Sequence, residues 1–193
     1  MMRVNKFTVG AVLAMGIVLL PAVSSPPFAK PPQGRQRTTG PELTPSLRSQ
    51  ILGLPRLWGP PLGKDALEGR VVALTFFASW CGPCRVELAL LQEINSALVG
   101  RGLQIVAINL FEEFDGLSNE KRLAAFLRIT NPDFPVLKGN EAVSAAFGGI
   151  RRIPTLIVFD RSGRSSYHFV NDVGGKRSSA DPVELRAVIA RLL

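Results

Sequence analysis

The chain has 193 residues, 46% hydrophobic and 20% charged, enough for one globular domain with a substantial core and too few for two ordinary ones. With aliphatic and aromatic residues this abundant, the 15 prolines and 18 glycines do not point to wholesale disorder or a collagen-like repeat. The formal net charge of +8 divides into +2 in residues 1–24, +3 in 25–50 and +3 in 51–193; the last part has no basic stripe interleaved with aromatics, which leaves nucleic-acid binding without support.

Arg3 and Lys6 precede the uncharged, mostly apolar stretch Phe7 to Val23, which ends near Pro21-Ala22-Val23-Ser24, where small residues suit a cleavage site. Residues 1–24 are therefore expected to be an export signal, or an uncleaved single-span membrane anchor with its basic end in the cytoplasm. Pro26-Pro27, Pro31-Pro32, Thr38-Thr39-Gly40-Pro41 and Pro45 mark residues 25–50 as a basic, Pro-rich linker. The ordered domain is expected over 51–193.

Val71 to Phe77 is a continuous apolar run that predicts a buried central strand. A helix follows over about 82–99, carrying Val86, Leu88, Leu90, Leu91, Ile94 and Leu98 and punctuated by Gly100 and Gly102. Leu103 to Leu110 reads as a second buried strand. The acids Glu112, Glu113 and Asp115 read as a solvated loop, with partner recognition as the lesser reading. A helix at about 118–129, an extended piece at 134–137 and a helix at about 141–147 lead to Pro154. Thr155 to Phe159 and Tyr167 to Val170 pair as a hairpin around Arg161-Ser162-Gly163, and Pro182 to Leu193 forms a last helix. This order is α/β with a mixed sheet.

The two cysteines, Cys81 and Cys84, stand in Trp80-Cys81-Gly82-Pro83-Cys84, between the central strand and the first turn of a helix. Unpaired N–H groups and the macrodipole at a helix N-terminus favour the Cys81 thiolate, the attacking form of the residue. Cys84, three residues on, lies on the same side and is placed to resolve a mixed disulfide. Two other readings stand beside redox exchange. A static disulfide across two residues removes little unfolded-chain entropy, and a metal site would have only one CxxC and the single histidine, His168, to draw on. His168, in the expected hairpin, reads as a surface or satisfied residue.

Phe76-Phe77-Ala78-Ser79-Trp80-Cys81-Gly82-Pro83-Cys84-Arg85-Val86-Glu87 resembles the active-site segment of exported thioredoxin-like proteins of the TlpA/ResA type, and Ile153-Pro154-Thr155 resembles their cis-proline loop. The resemblance covers residues 51–193. It implies a thioredoxin-like α/β fold, a central mixed sheet flanked by helices, with a helical insertion between the second buried strand and the cis-proline loop. It implies Cys81 as nucleophile, Cys84 as resolving thiol and Glu87 as a proton-handling catalytic acid, its alternative being a solvated helix acid. Pro154 would be the substrate-side cis-proline facing the pair, Ile153 would offer backbone hydrogen bonds to an extended substrate, and Trp80 would shape partner contact. Two positions depart from the pattern. Thr75 stands where thioredoxin has a buried aspartate, and Ala89 where a proline is common.

The resulting expectation is an exported, periplasmic thiol-disulfide oxidoreductase, acting as a reductant as the Gly82-Pro83 dipeptide suggests. It would need no cofactor and no metal. Its partners would be a cysteine-containing client protein and an upstream thiol electron donor, with a possible membrane tether through residues 7–23. Cytochrome c maturation is the client context the resemblance implies. The rival readings are a non-catalytic thioredoxin-fold module holding a client or a metal, and a thiol peroxidase using Cys81.

Overall fold

The computed structural model describes residues 40–113, 120–172, 174 and 177–193. The expected signal or anchor at 1–24, the linker residues 25–39 and Asp115 lie outside them. Among the described residues no helix is long and apolar enough to cross a membrane.

The chain forms α1 (Pro45–Leu52), β1 (Arg56–Trp58), β2 (Val71–Phe77), α2 (Gly82–Leu98), β3 (Leu103–Asn109), α3 (Glu120–Thr130), β4 (Val136–Lys138), α4 (Glu141–Ala146), β5 (Thr155–Phe159), β6 (Ser165–Val170) and α5 (Pro182–Leu192). The six strands make one mixed sheet in the order β1-β4-β3-β2-β5-β6. β2 lies at its centre, parallel to β3 and antiparallel to β5. All seven of its residues are buried, as a strand covered by helices on both faces requires.

Side-chain alternation along β2 sorts the two layers. Thr75 and Phe77 share a face, on which Thr75 bonds Glu87 of α2 and Phe77 stacks on Phe126 of α3 at 5.8 Å between ring centroids. Phe76 points the other way and meets Phe147, just after α4, edge-on at 5.0 Å. α1 packs beside α4. α5 is tied to α2 by an exposed ion pair, Arg186 Nη2 to Glu93 Oε2 at 2.6 Å.

The segment between β3 and Pro154, expected as a helical insertion, contains α3, the short strand β4 and α4. β4 pairs with both β3 and β1, so this stretch also contributes to the sheet. Gly139 follows β4 where a Cβ would fall 2.5 Å from Leu110 Cδ2 and 2.8 Å from the Asn109 carbonyl oxygen, so only glycine lets the strand end lie this close to β3.

Residues 40–50, placed in the linker by the sequence reading, fold onto the domain. Thr44 caps α1 by accepting from the Leu47 N–H at 3.2 Å, with Pro45 in the first turn. Leu43, Leu47 and Ile51 recur every four residues and are buried, Ile51 completely. The Leu43 N–H donates to the Gly163 carbonyl at 2.8 Å, and Glu42 bridges Arg164, fixing the segment to the β5–β6 turn. Ile51→Ala is expected to destabilise the domain by about 2–5 kcal/mol in urea unfolding, because the substitution opens a cavity in the core; a change near zero would place α1 outside the cooperative unit.

Candidate active site

Cys81 and Cys84 are joined as a disulfide, with sulfurs 2.03 Å apart. Cys81 directly precedes α2 and is held by its own N–H donating to the Ala78 carbonyl at 3.2 Å. The Cys84 N–H, in the first turn, donates to Cys81 Sγ at 3.2 Å. Sγ of Cys81 thus sits at the positive end of a 17-residue helix, where negative charge is favoured. Cys81 is 6% exposed and Cys84 1%, so Cys81 is the cysteine that opens to the surface. Ala89, where a proline kink is common, lies inside the uninterrupted helix.

Beside the disulfide opens a cleft of about 440 Å³ lined by Trp80, Cys81, Pro83, Phe111, Ile153 and Asn171 among others. Trp80 and Phe111 are its exposed apolar rim. Ile153 is buried and precedes Pro154 through a cis peptide bond; Pro154 is itself buried. Arg151, Arg152 and Glu113 supply charge at the margin. His168 is exposed on β6 and does not line the cleft. Among the described residues no three His, Cys, Asp or Glu side chains group as metal ligands.

Glu87 is not a solvated helix acid. It is 1% exposed and points from α2 toward the sheet, where Thr75 Oγ1 donates to its Oε1 at 2.6 Å. Thr75 therefore does not replace the missing aspartate; it orients a carboxyl that arrives from the facing helix. Oε2 has no hydrogen-bond partner among the described residues, and the Ala180 backbone amide acts on the carboxyl as a whole. Burial pushes the Glu87 carboxyl up from 4.5 to about 7, against the smaller opposing pulls of Thr75 and the Ala180 amide.

The loop after β3 grips the turn before Cys81, which the reading of 112–115 as solvated acids missed. Glu112 Oε1 accepts from the Ser79 N–H at 2.5 Å and from Asn109 Nδ2 at 2.8 Å, while Oε2 accepts from Ser79 Oγ at 2.7 Å. Arg122 of α3 pairs with this carboxylate at 3.5 Å and donates to Ser79 Oγ at 3.0 Å. Phe111, between them, has φ of 60°, a left-handed conformation costly for a bulky side chain, and its carbonyl accepts from Trp80 Nε1 at 2.6 Å. No local sequence signal joins positions 79, 112 and 122; only the parallel pairing of β2 and β3 brings the two loops together.

A helix-terminal CxxC disulfide at the end of a central strand of a mixed sheet, beside a cis-proline loop, defines a thioredoxin-fold protein with a dithiol centre. Residues 61–183 match the family model described as Redoxin, and the chain belongs to that family. Within it the chain is TlpA/ResA-like. It is 28% identical over 96 residues to the thioredoxin-like protein YneN of Bacillus subtilis, covering 50% of this chain and 54% of that one. It is 27% identical over 110 residues to the thiol-disulfide oxidoreductase ResA of Bacillus thuringiensis subsp. konkukian, covering 56% of this chain and 59% of ResA. The chain thus spans about half the length of the curated relatives it matches. A crystal structure of a thioredoxin-family thiol:disulfide interchange protein from Chlorobium tepidum superposes with a TM-score of 0.56 at 26% identity, over 72% of this chain and 94% of that one.

Two outcomes are expected from the carboxylates. Because folding holds Glu87 protonated, its contribution to stability should be fully present below pH 4.5 and be lost as pH rises from about 4.5 to about 7, a loss of roughly 3 kcal/mol. Urea unfolding across that range should show this slope in the wild type and not in Glu87→Gln. Glu112→Ala removes the acceptor for the Ser79 N–H and Asn109 Nδ2 and should cost about 1–3 kcal/mol in the same measurement.

Proposed function

We propose that this protein is an exported thiol-disulfide oxidoreductase that reduces disulfides of client proteins by dithiol exchange at Cys81 and Cys84. The observation that carries the reading is the Cys81 sulfur, bonded to Cys84 at the N-terminus of α2, accepting the Cys84 N–H and facing an open cleft. In the reduced protein the helix end favours the Cys81 thiolate. That thiolate attacks a client disulfide, forming a mixed disulfide and expelling one client thiolate. Cys84 then attacks Cys81 Sγ, expelling the second client thiolate and closing the Cys81–Cys84 disulfide. The client gains two electrons and takes up two protons, and an upstream thiol donor returns the pair to the reduced form.

Glu87, three residues after Cys84 on α2 and titrating near neutrality, is suited to take the Cys84 thiol proton as that sulfur becomes a nucleophile. Ile153 and Trp80 frame the client site. The Gly82-Pro83 dipeptide favours the reducing direction, and the resemblance to ResA-type proteins makes apocytochrome c a client class in the periplasm. Residues 7–23 serve as export signal or tether.

Cys84→Ser should trap Cys81 mixed disulfides with cysteine-containing clients, seen as adducts on non-reducing gels that thiol reductant dissolves. Client association with no covalent adduct would instead indicate a binding module. The equilibrium potential of the pair should lie near thioredoxin's, about −270 mV; a value near DsbA's, about −120 mV, would reverse the assigned direction.

A further inference from the structure

A cleft that exchanges disulfides with polypeptides has to hold backbone as well as sulfur. The residue before Pro154 is expected to offer both its N–H and its carbonyl to an extended client. In this protein the carbonyl is already engaged. Asn171, at the end of β6, donates from Nδ2 to the Ile153 oxygen at 2.8 Å, and its backbone N–H donates to the Pro154 oxygen at 3.0 Å. Thr155 Oγ1 donates to the Arg152 carbonyl at 2.7 Å, and Arg152 pairs with Asp172 at 3.5 Å. The loop 152–155 is therefore stitched to the β6 exit and presents one fixed edge to the cleft.

The carbonyl of Ile153 is an acceptor, so the amide nitrogen of Asn171 must face it and Oδ1 must face away. Asn171 is half-buried and lines the same cleft as Cys81 and Trp80. Among the described residues its Oδ1 accepts no hydrogen bond and the Ile153 N–H donates none. One unused donor and one unused acceptor thus stand at the edge of a cleft that ends on a reactive sulfur, a pattern that matches the donor and acceptor of an extended peptide.

Resting on the exchange reading above, we infer that Asn171 is a substrate-binding residue whose Oδ1 accepts a backbone N–H of an extended client segment beside the client cysteine. It adds an acceptor beside the Ile153 carbonyl, one of whose two lone pairs is already taken, while the Ile153 N–H donates to the client. The site therefore favours polypeptide disulfides over small ones, and disfavours clients with proline at the contacted position, since proline has no N–H to give.

The test uses the full chain in its reduced form, in single-turnover reduction of two probes. One is the disulfide-linked dimer of an eight-residue peptide with one cysteine; the other is bis(2-hydroxyethyl) disulfide, which has no backbone. Asn171→Ala is expected to lower the rate constant for the peptide about three- to tenfold more than that for the small disulfide, the loss of one hydrogen bond made only to a backbone. N-methylating one backbone amide near the peptide's cysteine should slow the wild type by a similar factor and have no further effect on Asn171→Ala. Equal losses on both probes would show a structural role and overturn the inference, as would an unchanged or faster peptide reaction. The methylation series on the wild type needs no variant, and indifference to every methylation overturns it too. A wild type inert toward both probes would overturn the exchange reading, and this inference with it.

Discussion

The position of the cysteine pair depends on burial of β2 from end to end. A strand apolar on both faces cannot slip by one residue without exchanging Thr75 and Phe77 for Leu74 and Phe76 in two differently shaped layers. Parallel pairing with β3 on one side and antiparallel pairing with β5 on the other fix where the strand stops. The four residues after Phe77 then carry the chain to Cys81 and the first turn of α2. A buried polar link, Thr75 to Glu87, crosses this packed layer from the middle of the strand to the second turn of the helix. Sheet, helix and titrating carboxyl are therefore one mechanical unit.

Much of this was legible in the sequence because it is local. The apolar run of β2, the face of α2 and the CxxC at their junction are each contained within a dozen or so residues, and the structure places the elements within one or two residues of the expected bounds. α1 was missed because prolines dominate its surroundings, although Leu43, Leu47 and Ile51 already held the spacing of a buried face. The depth of Glu87 was not readable, since a step of three residues from Cys84 says which side of the helix it shares but not whether a sheet and the Ala180 segment cover it. Asn171 was beyond reach for another reason. Its approach to Ile153 is set by the register of the β5–β6 hairpin, in which Thr155 pairs with Val170 and the next residue necessarily falls beside the loop.

The grip of Glu112 on Ser79 shows how a loop can be shaped by a contact no motif records. A carboxylate taking up the N–H and hydroxyl of one residue, with Arg122 closing its other side, leaves the turn before Cys81 little freedom. Phe111 bears the cost in a left-handed backbone, and in return its carbonyl holds the Trp80 indole and its ring joins the rim. The exposed aromatic surface around the disulfide is thus fixed in place before any partner arrives.

The bond from Leu43 to Gly163 has a geometric consequence. β5 runs against β2, so the turn containing Gly163 lies at the end of the sheet where β2 begins, whereas the cysteines lie where β2 finishes. Residues 40–44 are pinned at that far pole. The described chain therefore enters the domain at its heel, and that entry leaves the approach to the Cys81 cleft, at the opposite pole, unobstructed.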